Sequence, residues 1–110
     1  MRKFLAFLLL MLLIAYAVNA AKHGLANTSY FQARFILDKW LINPQTLNSH
    51  NYQQAMQFSQ RSLLLSPDNP HYLLTHAKIA LWGFYAGLVR AEDLKDYEQS
   101  YQKAIYYLNR

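Results

Sequence analysis

The rhythm of apolar and polar positions changes once along this chain, near Gly24. From Phe4 to Val18 the positions are uniformly apolar, after a basic start at Arg2 and Lys3. Beyond Gly24 apolar residues recur at three- and four-residue spacing, the mark of amphipathic helices. A first helix is predicted over 28–42, capped by Asn27 or Thr28, with Tyr30, Ala33, Leu37 and Trp40 facing inward. Pro44 and the Asn/Ser-rich stretch 43–51 interrupt it. A second helix over 50–65 follows, capped by Asn48 or Ser49, with Tyr52, Ala55, Met56, Ser59 and Leu63 inside. A third is predicted from Pro70 to Tyr85, burying Leu73, Ala77, Ala80, Leu81 and Phe84. A fourth over 91–108 carries the seam Leu94, Tyr97, Tyr101, Ala104 and Leu108. Its acidic start (Glu92, Asp93, Asp96) and basic end (Lys103, Arg110) suit the helix dipole.

The stretch SLLLSPDNPHYLL, 62–74, joins the second helix to the third. Pro67 prevents the second from continuing, Asp68 or Asn69 caps the third, and Pro70 fits a first-turn position where its missing N–H is harmless. Such a joint folds the chain back on itself. The expected fold is all-α: an N-terminal membrane helix, then two stacked helical hairpins, 27–68 and 69–110. The domain division is 1–24 for the targeting segment and 25–110 for the helical domain.

The apolar N-terminus supports two readings. As a signal peptide it would be cleaved after Ala20, since Val18 and Ala20 are small residues at the positions a signal peptidase reads. As an anchor it runs through Phe4, Leu9, Leu13 and Val18 to Ala21, about 27 Å of helix, adequate for a thin bilayer. The leucine density favours retention in lipid, and the Tyr16 ring suits an interface. Arg2 and Lys3 keep the N-terminus cytoplasmic in either case, with residues 22–110 outside. The expected location is therefore the bacterial inner membrane, single-pass, with a periplasmic domain.

A shift of 42 residues aligns Asn27 with Asn69, Tyr30 with Tyr72, and Trp40 with Trp82, the chain's two tryptophans. Two repeated hairpins would bury their faces by stacking. Residues 52–73 resemble a tetratricopeptide junction. Ala55 and Pro67 are twelve apart as in that motif, Ser62-Leu63 occupies its Ala-Leu position, and Leu73 and Ala77 fit the next helix. Ser59, His76 and Ala80 depart from the aromatic, leucine and tyrosine of the motif, and the spacing of 42 exceeds its period of about 34. Residues 81–105 are loosely similar to a Sel1-like repeat. The whole layout resembles the VpsP-type accessory proteins of bacterial exopolysaccharide biosynthesis, through Ser62-Leu63, Leu65, Pro67, Asn69-Pro70 and Trp82. That resemblance implies a membrane-tethered helical accessory protein and carries no catalytic residues.

Composition narrows the chemistry. There is no cysteine, so disulfides and thiolate sites are excluded. Residues 22–110 hold nine Lys/Arg and six Asp/Glu without clustering, which argues against nucleic acid as a partner. His71 and His76 are five apart and do not share a helix face; with His23 and His50 they suggest no metal site. No phosphate loop or nucleophile elbow occurs, so the chain reads as a non-enzyme without cofactor. The nine tyrosines remain. Tyr97, Tyr101, Tyr106 and Tyr107 span more than one face of the fourth helix, and with Trp82 they are the candidate partner-binding residues. Exposed Tyr suits an envelope protein partner, a glycan ring or a second copy of the chain. Two function classes follow: a membrane-anchored periplasmic adaptor in a cell-envelope complex, with polysaccharide biosynthesis or export as its setting, or a secreted helical module that binds a glycan or small ligand.

Overall fold

A computed structural model describes residues 1–109; Arg110, expected at the basic end of the last helix, lies outside the described residues. The fold is all-α, with α1 at Arg2–Ile42, α2 at Ser49–Leu65, α3 at Pro70–Tyr85 and α4 at Leu94–Leu108. Helices α1 and α2 form one hairpin and α3 and α4 a second. The hairpins stack mainly through α2 against α3.

The apolar segment and the first hairpin helix are one uninterrupted helix of 41 residues. The expected cap at Asn27 or Thr28 does not form. Thr28 Oγ1 instead donates back to the Gly24 carbonyl at 2.8 Å, a bond made inside a helix. The physical reason is composition: 19–26 holds three alanines and no proline, and one glycine costs only about 1 kcal/mol of helix propensity. Buried residues on α1 begin at Ala26 and continue with Ser29, Ala33, Leu37 and Trp40. Everything before Ala26 is exposed and belongs to no packed layer. This N-terminal part is long and apolar enough to span a membrane.

The turns follow the sequence closely. A short 3₁₀ turn, Pro44–Thr46, leaves α1, with the Asn43 side chain accepting from the Gln45 N–H. Asn48 and Asn51 then cap α2 reciprocally, each side-chain oxygen accepting from the other's backbone N–H at 2.9 Å. Asn69 caps α3 by accepting from His71 and Tyr72 N–H groups. Asp68 is free of that task and pairs with Lys103 of α4 at 3.0 Å. Helix α3 ends in a Schellman motif: Leu88 N–H bonds the Gly83 carbonyl, Gly87 N–H bonds that of Phe84, and Gly87 takes φ of 78°.

The core is small. Ala33, Leu37, Trp40, Ala55, Met56, Ile79 and Ala80 make one buried cluster, with Tyr52, Trp82 and Tyr97 packed around it. The two tryptophans meet with ring centroids 6.4 Å apart, and Tyr30 meets Tyr72 at 4.8 Å. Gly83 permits a close approach between the hairpins. A Cβ there would lie 2.8 Å from Val89 Cγ2 and closer still to the Tyr52 ring.

Two helices sit differently from expectation. Helix α3 buries Tyr72, Leu73, Thr75, His76, Ile79, Ala80 and Gly83, leaving Leu81 and Phe84 exposed. Its inner face is turned because α3 packs against both α1 and α2 as well as α4. Helix α4 starts at Leu94 instead of 91: Ala91, Glu92 and Asp93 form turns, and Asp93 makes no side-chain cap bond. On α4 only Ala104 is fully buried; Tyr101 and Leu108 of the expected seam are exposed.

Candidate functional site

An apolar groove of about 410 Å³ runs between α3 and α4, on the face where Leu81 and Tyr101 are exposed. Ala77, Lys78 and Leu81 line it from α3, and Leu94, Tyr97, Glu98 and Tyr101 from α4. It exists because α3 is apolar on more of its circumference than the core can cover. Leu73 and Ile79 go inward, and Leu81, three residues from Lys78, is left for the opposite side. Lys78 and Glu98 supply one charge of each sign. Nothing in the lining is a nucleophile or a general base held against one.

Tyr97 forms the inner wall. Its ring packs 5.2 Å from that of His76, and burial, with the Asp93 and Asp96 carboxylates, pushes its phenol pKa up. Tyr52, on α2, is pushed up to about 12 by burial and by Tyr97. Both hydroxyls therefore stay protonated as neutral hydrogen-bonding groups at physiological pH.

Of the five candidate residues, the groove brings two together, Tyr97 and Tyr101. Tyr106 and Tyr107 pack against each other at 5.5 Å, one turn and more further along α4, and do not line it. Trp82 is half-buried against Trp40, on the interior side of α3. The sequence reading missed the opposite wall, because Ala77 and Leu81 carried the right spacing for a core face. The available signal was excess: 72–85 contains more large apolar residues than one buried stripe holds. The groove also lies within the second hairpin and not between the hairpins.

A second cavity, about 370 Å³, is lined by Gln60, Leu63, Leu64 and His76. His76 is buried, and its Nδ1 is hydrogen-bonded to Ser59 Oγ at 2.9 Å. Burial lowers its pKa to about 4, so the ring is neutral in most settings. The pair is not a nucleophile–base dyad: Ser59 is 1% exposed and out of reach of any substrate. Among the described residues, no three His, Asp or Glu side chains come together as a metal site would require. No family model, curated protein or solved structure matches this chain.

Proposed function

We propose that this chain is a membrane-anchored adaptor whose α3–α4 groove takes a helix from an envelope partner. The carrying observation is a register relation between the hairpins. Shifting by 42 residues places Leu94, Tyr97, Glu98 and Tyr101 on Tyr52, Ala55, Met56 and Ser59. In the first hairpin those four positions are the ones α3 covers: Tyr52 lies on Gly83, Ser59 bonds His76, and Ala55 and Met56 share a cluster with Ile79 and Ala80. In the second hairpin the same face is an open apolar groove. A helix is thus the shape that fits it, by the helix-in-groove mode. The bacterial inner membrane, the periplasmic side and the polysaccharide setting are supported by the basic N-terminus and the sequence resemblance, and they complete the proposal.

Tyr101→Ala is expected to weaken capture of the partner at least about tenfold, with the far-ultraviolet spectrum and melting temperature unchanged. Tyr101 is 44% exposed, so its loss leaves no cavity in the core. Unchanged capture would remove the groove as the docking site.

One observation favours the secreted alternative. All five buried residues of α1 follow Ala20, so a chain cleaved there keeps its core. The intact mass of the protein from fractionated cells decides between them. A full-length mass in the membrane fraction is expected. A mass starting at Ala21 in the soluble fraction would replace the adaptor with a free ligand-binding module.

A further inference from the structure

The geometry points to a lipid-contacting surface on the helical domain: its N-terminal-facing end rests on the headgroups of the bilayer that α1 spans, through Leu64, Tyr106 and Leu108. The inference rests on the anchor reading of α1. Its starting point is the absence of a linker. The exposed part of α1, Arg2 to Leu25, is 24 residues of continuous helix, about 36 Å long. A hydrocarbon core takes about 30 Å of that, and the bilayer with headgroups is about 40–45 Å thick. With Arg2 and Lys3 at one surface, the helix leaves the hydrocarbon near Lys22 and His23. Ala26, the first residue to enter the bundle, then lies within the opposite headgroup layer.

The hairpins decide what else reaches that level. Helix α2 runs back toward the membrane and ends at Leu65, α3 runs away from it, and α4 returns. Tyr72, at the start of α3, donates to Asn27 Oδ1, which sets the α2–α3 joint level with the base of the bundle. Lys103 bonds Asp68 in that joint, so the last turn of α4 projects beyond it toward the bilayer. Three apolar or amphipathic side chains are exposed at this end: Leu64 is 82% exposed, Tyr106 61% and Leu108 43%. Tyrosine at headgroup depth is the pattern of membrane-interface belts.

Charge is distributed in the same sense. Five of the six acidic residues, Asp38 and the group from Glu92 to Glu98, lie at the far end. The sixth, Asp68, is neutralised by Lys103. Among the described residues, Lys22 and Arg61 have no acidic neighbour of that kind on the near side, which fits anionic phospholipid headgroups.

The chain has no cysteine, so single nitroxide labels are placed cleanly by Leu64→Cys, Tyr106→Cys, Leu13→Cys and Glu92→Cys. The full-length protein is reconstituted in vesicles containing phosphatidylglycerol, and the accessibility of each label to oxygen and to a water-soluble nickel complex is read. The labels at 64 and 106 are expected at headgroup depth, with an oxygen-to-nickel ratio severalfold above that at 92, and label 13 in the hydrocarbon. Labels 64 and 106 as aqueous as 92, with 13 in hydrocarbon, would overturn the surface while leaving the anchor intact. An aqueous label 13 would remove the anchor itself. Equal depth for 64 and 106 in vesicles of phosphatidylcholine alone would overturn the assignment to anionic headgroups.

Discussion

His76 and Ser59 form a polar contact buried between the hairpins, and it makes stability depend on pH. The unfolded chain takes up a proton on this imidazole near pH 6.5, whereas the folded chain resists until about 4. Stability contributed by the neutral ring is complete above pH 6.5 and is lost as pH falls through that window. The loss is on the order of 3 kcal/mol at most. His76→Leu is expected to remove this share of the slope, measured as urea midpoints at pH 4.5 and 7. In the sequence His76 stands only as a departure from the tetratricopeptide pattern, which has leucine there. Its burial depends on α2 supplying Ser59, a contact 17 residues away that no local pattern encodes. Trp40 presents the converse case. Its spacing marked it as core, and it is 0% exposed, yet its indole N–H finds no partner among the described residues. Geometry at the Trp40–Trp82 contact, and not periodicity, decides that.

At the scale of elements, the boundaries set by side-chain chemistry were legible and those set by packing were not. Asn48, Asn69, Pro70 and Gly87 act within a few residues, so α2 and α3 start and stop where their sequences say. The cap signal at Asn27 and Thr28 was equally local but lost to the helical residues on both sides of it. The face of α3 was misread because two helices, not one, claim it from the first hairpin. That displacement is also what created the groove, so the same error hid the fold detail and the candidate site. Gly87→Ala tests the local kind of boundary. At φ of 78° an L-residue is strained, and nothing lies within 4 Å to compensate. The substitution is expected to cost about 1 kcal/mol of stability, read from the shift in urea midpoint with the slope unchanged.

At the scale of the whole molecule, the long axis of 64 Å is essentially the length of α1. A flexible tether would let the hairpins face any direction. An unbroken helix does not: it is a shaft, and with α1 as the proposed anchor it fixes the compass bearing of the groove about the membrane normal. Each residue added to it turns the domain by about 100° while raising it only about 1.5 Å. Two alanines inserted between Gly24 and Leu25 would swing the groove by about 200°, and four would bring it back to within about 40°. Crosslinking from Tyr101 to a membrane-bound partner is therefore expected to fail with two added residues and return with four, although four lift the domain further. Loss that simply deepens with each residue would mean that height governs the encounter. Recovery at four would mean that the first half of α1 decides which way the second hairpin looks.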